Sequence, residues 1–285
     1  MRELLTGDDL FSEIVMRRTA DPRTVIVLEG PSDCVTLDIF LDDTSCYSID
    51  ANGKSSVLRV IECSETTSTK RVLGVVDNDA ELPARWPHSD HPRNLVWTEY
   101  YDLDAEVLYA GTVFERLVAS HGDRDKLASS SLEERRDALE RLAAPISLLG
   151  QLSRQHRLEL VVANHPLHAS INVDRLTVDV ARMVTIAKAK SVGCRVSVGE
   201  VVALVNSALT SSTPSALLNG HRLFDALALL LGSRWGSLSL TGAGLERIAR
   251  AALTYADLQT TAVHDRITSW GVEAGTRIWH SSPAP

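Results

Sequence analysis

Little in this sequence marks a secreted, membrane-spanning or nucleic-acid-coated protein. Only four cysteines occur in 285 residues (Cys34, Cys46, Cys63 and Cys194), and none forms a CxxC pair. They read as reduced thiols in a cytoplasm. No apolar run reaches the ~18 residues that a membrane span needs. The opening MRELLTGDDLFSEIV is acidic and amphipathic, unlike a secretory leader. Positive charge is scarce: 29 Lys and Arg stand against 37 Asp and Glu, a net charge of −8. That argues against a surface built to attract nucleic acid everywhere. It leaves room for a metal-dependent enzyme, because bound cations reverse the local sign. No internal repeat is evident.

What is present is a globular composition, 44% hydrophobic and 23% charged, in a chain of roughly two domains' length. Its organising stretch is RVLGVVDNDA, residues 71–80. A short β-branched apolar run bounded by turn residues reads as a buried strand. Parallel strands present ligands outside their carboxyl ends. Asp77 and Asp79, two apart at such an end, offer hard oxygen ligands suited to Mg²⁺ or Mn²⁺. The plainer reading is a turn that only stops the strand, since Asn and Asp favour turns. Residues 77–106 hold eight Asp and Glu against Arg85 and Arg93. Such a run fits a metal site, and it also fits a solvated loop.

Ahead of this strand, residues 3–19 read as a helix. TVIVL, residues 24–28, reads as a strand ending in Glu29-Gly30-Pro31-Ser32-Asp33. A helix follows through Leu41, with Pro31 suited to its first position. Residues 45–49 form a short strand, and Asp50-Ala51-Asn52-Gly53-Lys54-Ser55 turns into the next helix. Residues 95–97 form a fourth strand leading to Asp102 and Asp104. Strand–helix alternation of this kind predicts a parallel α/β sheet with right-handed crossovers. Beyond Gly111 the texture turns helical: residues 112–163, 174–190, 197–209, 216–231, 242–257 and 259–269, with a Ser/Thr/Pro linker at 211–215. Glu29, Asp77/Asp79 and Asp102/Asp104 then share one sheet edge. One Glu with Asp-x-Asp is a minimal set for metal-assisted phosphoryl transfer.

EGPSD, NGKSS, VVDND, TEYYDLDAE and NGHRLFDAL, in this order, resemble the TOPRIM family of topoisomerases, primases and OLD-type nucleases. The likeness is closest to TOPRIM-like effectors encoded beside ABC-type ATPases in bacterial anti-phage systems. It covers residues 24–110 well and 216–231 weakly. It implies a TOPRIM-like α/β domain over 1–110, a helical lobe over 111–215, and a C-terminal helical segment, 216–285, returning to the α/β domain. It further implies Glu29, Asp77 and Asp79 as metal-binding and catalytic residues, and Asp104 (or Asp102) as a further acidic ligand. The late basic role falls to His221 or Arg222, without the lysine seen in related nucleases. Lys54 and Arg222 become phosphate contacts, although a lysine opening a helix is more often simply solvated. The partners implied are a DNA or RNA substrate and an ABC-type ATPase, with room for a homodimer.

Other features carry less. His88-x-x-His91 and His165-x-x-His168 lack the further ligands of a zinc site and read as loop residues. Asn52-Gly53-Lys54-Ser55 lacks the earlier glycine of a P-loop. Trp235, Trp270 and Trp279 read as packing or partner contacts rather than base-stacking platforms, since no basic cluster surrounds them. Two other functions compete with the nuclease: a non-catalytic regulatory or partner-binding module, and a phosphatase of the haloacid dehalogenase type. Clustered unused carboxylates repel, which disfavours the first. The second needs a nucleophilic Asp where Glu29 stands.

Overall fold

The computed structural model describes residues 6–79, 91–211, 218–237 and 239–280. The chain forms two compact units, residues 1–103 with 254–285, and residues 104–253. The division thus falls at Leu103/Asp104 and Leu253/Thr254: residues 218–253 group with the helical unit and 254–280 with the sheet unit.

The first unit is α/β, built on a four-stranded, all-parallel sheet. Its strands are β1 (Thr24–Leu28), β2 (Cys46–Asp50), β3 (Val72–Val76) and β4 (Leu95–Trp97), in the order β2-β1-β3-β4. Val25 pairs with Val72 and Gly74 with Leu95. All residues of β1 and β3 are buried, as expected of parallel strands covered on both faces. Alternation splits their side chains between two layers. Val25, Val27, Val72 and Val76 join Leu10 and Ile14 of α1 (Gly7–Arg17) and Val57, Val60 and Ile61 of α3 (Lys54–Thr66) in one core.

Each crossover helix begins on a local signal. Thr6 and Asp9 form a capping box for α1. Helix α2 (Pro31–Asp38) starts with proline, and the Asp33 carboxylate accepts the Gly30 N–H at 3.0 Å. The turn into α3 needs Asn52 at φ 56° and Gly53 at φ 119°, a region where glycine carries no Cβ penalty. Helix α2 stops at Asp38 rather than running through Leu41, because Leu41 instead bridges Trp279. Arg277 pairs with the neighbouring Asp42, and this ion pair with the Thr44 and Ser45 hydroxyls holds Asp42 far below the usual carboxylate range.

Gly74 marks where α3 presses closest on the sheet. A Cβ there would lie 2.7 Å from Ile61 Cγ1 and 3.0 Å from Val57 Cγ1. Gly74→Ala is therefore expected to lower unfolding stability by about 1–3 kcal/mol, the cost of overpacking a filled core. A urea midpoint equal to wild type would show that the helix simply moves aside.

The second unit contains α4 (Leu103–Tyr109) from Asp104 onward, α5 (Val113–His121), α6 (Arg124–Leu127), α7 (Leu132–Gln155), α8 (Val180–Ala189), α9 (Val198–Ser211), α10 (Gly220–Gly232) and α11 (Gly242–Ala252). Two expectations need correction. The helix predicted over 174–190 begins only at Val180, after a hairpin of β5 (Ile171–Asn172) and β6 (Thr177–Val178). Asn172 Oδ1 takes the Arg175 N–H at 3.0 Å, an Asx turn, and Asp179 caps α8. The helix predicted over 242–257 breaks at Leu253, where Thr254 and Asp257 form a capping box for α12 (Tyr255–Leu258). The sheet unit is then completed by α13 (Ala262–Ala274). Strand β2 lies one residue later than read from the sequence, and α7 ends at Gln155. The predicted linker (but for Ser211), most of residues 82–93 and those after His280 lie outside the described residues. Among those described, no helix is long and apolar enough to cross a membrane.

Candidate metal and catalytic site

Because all four strands are parallel, their carboxyl ends lie along one edge, and Glu29 and Asp77 each follow directly on a strand. Glu29 Oε1 accepts the Asp77 N–H at 2.7 Å. Asp77 Oδ1 in turn accepts the Leu103 N–H at 3.0 Å. The loop bearing the two aspartates is pinned from β4: Asn78 donates its N–H to Thr98 Oγ1 at 3.0 Å, and Asp79 its N–H to Tyr101 O at 2.8 Å. Thr98 is buried and donates its own hydroxyl to Tyr100 O at 2.8 Å. Asp79 holds a left-handed backbone, φ 52°, which aspartate tolerates better than most residues.

The charges at this edge are in tension. Burial pushes the Glu29 carboxyl up to about 7, against the Asp77 N–H and the Lys54 ammonium, which pull it down. Burial also raises Asp77 well above the carboxylate range, and the negative charges of Asp102, Glu29 and Asp33 raise it further. Such a cluster is short of positive charge. Lys54 supplies part of it, as its ammonium pairs with Asp79. Lys54 is thus a half-buried member of the acidic edge rather than a solvated lysine. Asp102 is the acid of TEYYDLDAE whose charge bears on Asp77. Oxygen donors from Glu29, Asp77 and Asp79 suit a hard divalent cation.

Asp104 belongs to the second unit, where it meets His221, Glu246 and Arg250. His221 Nδ1 lies 2.7 Å from Glu246 Oε1 and 3.8 Å from Asp104 Oδ2. Arg250 donates to Asp104 Oδ1 at 2.6 Å. Burial pushes the Glu246 carboxyl upward, but the His221 hydrogen bond and the nearby His221 and arginine charges outweigh it and hold Glu246 below its usual range. Asp104, His221 and Glu246 each present a ligand atom within 4.8 Å of the others, so this group could hold a metal ion. Arg222 is engaged otherwise, paired with Asp225 at 3.1 Å and donating to Val162 O at 2.9 Å. Of the two residues proposed for a late basic role, His221 is the exposed one.

Sequence reading missed Glu246 and Arg250, whose i, i+4 spacing on α11 looks like any solvated pair. It placed Asp33 only as a helix-start acid. His165, read as a loop residue, is buried at 4% exposure with Ser170 Oγ 3.5 Å away; burial lowers its imidazole to about 4. Trp279 packs as expected, stacked on His264 at 5.0 Å. Compared with protein-family models and with curated proteins, the chain matches none.

Proposed function

We propose that this protein is a TOPRIM-type nuclease that uses Mg²⁺ or Mn²⁺ to cleave phosphodiesters in DNA or RNA. In this reading it is the effector of an anti-phage system and acts with an ABC-type ATPase. The observation that supports it best is the 2.7 Å hydrogen bond from the Asp77 N–H to the Glu29 carboxylate. It brings two motif acids, 48 residues apart in sequence, to the same sheet edge. Glu29, Asp77 and Asp79 would hold the cation, which would stabilise charge on the attacking and leaving oxygens. Glu29, with its carboxyl near neutrality, is suited to taking up or giving a proton at its Oε atoms. Lys54, beside Asp79, is placed to meet a phosphate oxygen when the cation takes over Asp79.

The test is cleavage of supercoiled plasmid and of a structured RNA, with and without the ATPase partner. Each is run in Mg²⁺, in Mn²⁺ and in EDTA. Cleavage should need the divalent ion and be lost in Glu29→Gln. One feature favours the alternative, a non-catalytic module: Lys54 already neutralises Asp79. That reading expects no cutting under any condition and no change in melting temperature when Mg²⁺ or Mn²⁺ is added.

A further inference from the structure

Trp235 does have a basic cluster around it, assembled from distant parts of the chain. In the second unit, Lys126, Arg135, Arg141 and Arg234 line a cleft of about 490 Å³ whose wall includes this indole. Trp235 is only 3% exposed, so it forms a fixed side of the cleft. Leu176, in the turn of the hairpin, also lines it.

Three of the four cations are held by neutral groups. Lys126 Nζ donates to the Ser233 and Gly236 carbonyls at 3.1 and 2.6 Å. Arg135 donates through Nε to Ser130 Oγ at 3.1 Å and through a terminal nitrogen to Leu127 O at 2.5 Å. Arg234 donates to Asp174 O at 2.9 Å. Among the described residues, Arg141 has no hydrogen-bond partner, and none of the four has a carboxylate within ion-pair distance. Two carboxylates also line the cleft. Glu134 is committed to the cap of α7, accepting the Ser131 N–H at 2.7 Å. Among the described residues, Asp137 is the other. Carbonyl partners orient a guanidinium or ammonium without cancelling its charge, and arginines keep donors to spare in a fixed fork.

We infer that this cleft binds a small phosphate-bearing ligand, a phosphomonoester or phosphoanhydride up to the size of a nucleotide. The volume lies within the range of small-molecule sites. An excess of oriented cations in a chain of net charge −8 selects an anion, and planar arginines match phosphate oxygens two at a time. A cleft of this size admits one such group rather than a duplex. The inference stands apart from the acidic edge, since every residue used belongs to the second unit.

Calorimetry on the full chain in EDTA, so that no divalent ion bridges phosphate to acid, tests it with pyrophosphate, ATP, adenosine and a ten-nucleotide single strand. Pyrophosphate and ATP should bind, and adenosine should not. Arg141→Ala should weaken both by about ten- to a hundredfold, the loss of one charge-assisted hydrogen bond. Its melting temperature should not change, because Arg141 bonds to nothing else, and Arg141→Lys should recover part of the affinity. Absence of binding by either phosphate compound would overturn the inference. So would affinities untouched in both Arg141→Ala and Arg234→Ala, or adenosine binding as well as ATP. Binding by the oligonucleotide alone would reassign the cleft to a nucleic-acid strand.

Discussion

Asp77→Asn is expected to cut metal-dependent phosphodiester cleavage by about 10³-fold while melting no lower than wild type. The loss follows from the proposed role: one ligand charge vanishes where the reaction depends on placed charge, and effects of that kind reach about 10²–10³-fold for a single group. The stability side follows from what Asp77 does in the fold. Its Oδ1 accepts the Leu103 N–H at 3.0 Å, and the amide oxygen of asparagine can accept the same bond. Its charge is unwelcome where it sits, being buried and facing Asp102, Glu29 and Asp33. Removing that charge without changing the shape relieves repulsion and opens no cavity. Cleavage and thermal melting are measured on the same preparation. A folded Asp77→Asn protein that cuts as fast as wild type would reduce the aspartate to a turn residue and promote the non-catalytic reading.

The affinity for Mn²⁺ or Mg²⁺ should rise steeply between pH 5.5 and pH 8, while the metal-free protein loses stability over the same range. Glu29 titrates at about 7 in the folded chain, against an ordinary 4.5. The folded state therefore favours its protonated form. Its stabilising contribution is complete below about pH 4.5 and is lost as pH climbs through 7, with Asp77 shifted the same way. For Glu29 alone the swing is roughly 2–3 kcal/mol. A cation needs these groups ionised, so each proton displaced on binding steepens the affinity by up to about tenfold per pH unit. Asp42 shifts oppositely, held low by Arg277, and contributes only at acid pH. Melting curves from pH 5.5 to 8, with and without Mn²⁺, should converge for wild type near pH 5.5 and diverge above pH 7. Glu29→Gln should flatten both trends. A cation effect that is the same at both ends of the range would mean that these carboxylates do not hold it.

Much of the sheet unit is legible in the sequence, because its signals are local. TVIVL and VLGVV are β-branched runs closed by turn residues, and each ends where its strand ends. Glycine, proline and aspartate mark the helix starts at Pro31 and Lys54. The acids at the edge were legible for the same reason, since parallel pairing carries strand-end residues to one side. The charges acting on them were less so, since Asp33 and Asp102 meet Asp77 only in space. The second unit hid more. Its helices share one amphipathic texture, and the hairpin at 171–178 rests on an Asn172 turn rather than a β-branched run. The basic cleft was invisible because Lys126, Arg141 and Arg234 meet only in space.

The order of the elements along the chain also bears on how this protein is made. Residues 1–103 leave the ribosome first, yet their unit also takes in residues 254–285. Its closing contacts, Arg277 to Asp42 and Trp279 to Leu41, belong to that late segment. At ordinary synthesis rates the 150 residues 104–253 occupy the ribosome for roughly 8–30 s. The sheet unit is therefore completed only after residues 254–280 have been made. Until then Leu41 and Asp42 lack the partners they hold in the finished unit. A stalled or prematurely released product lacking residues 254–280 should be less stable and quickly degraded.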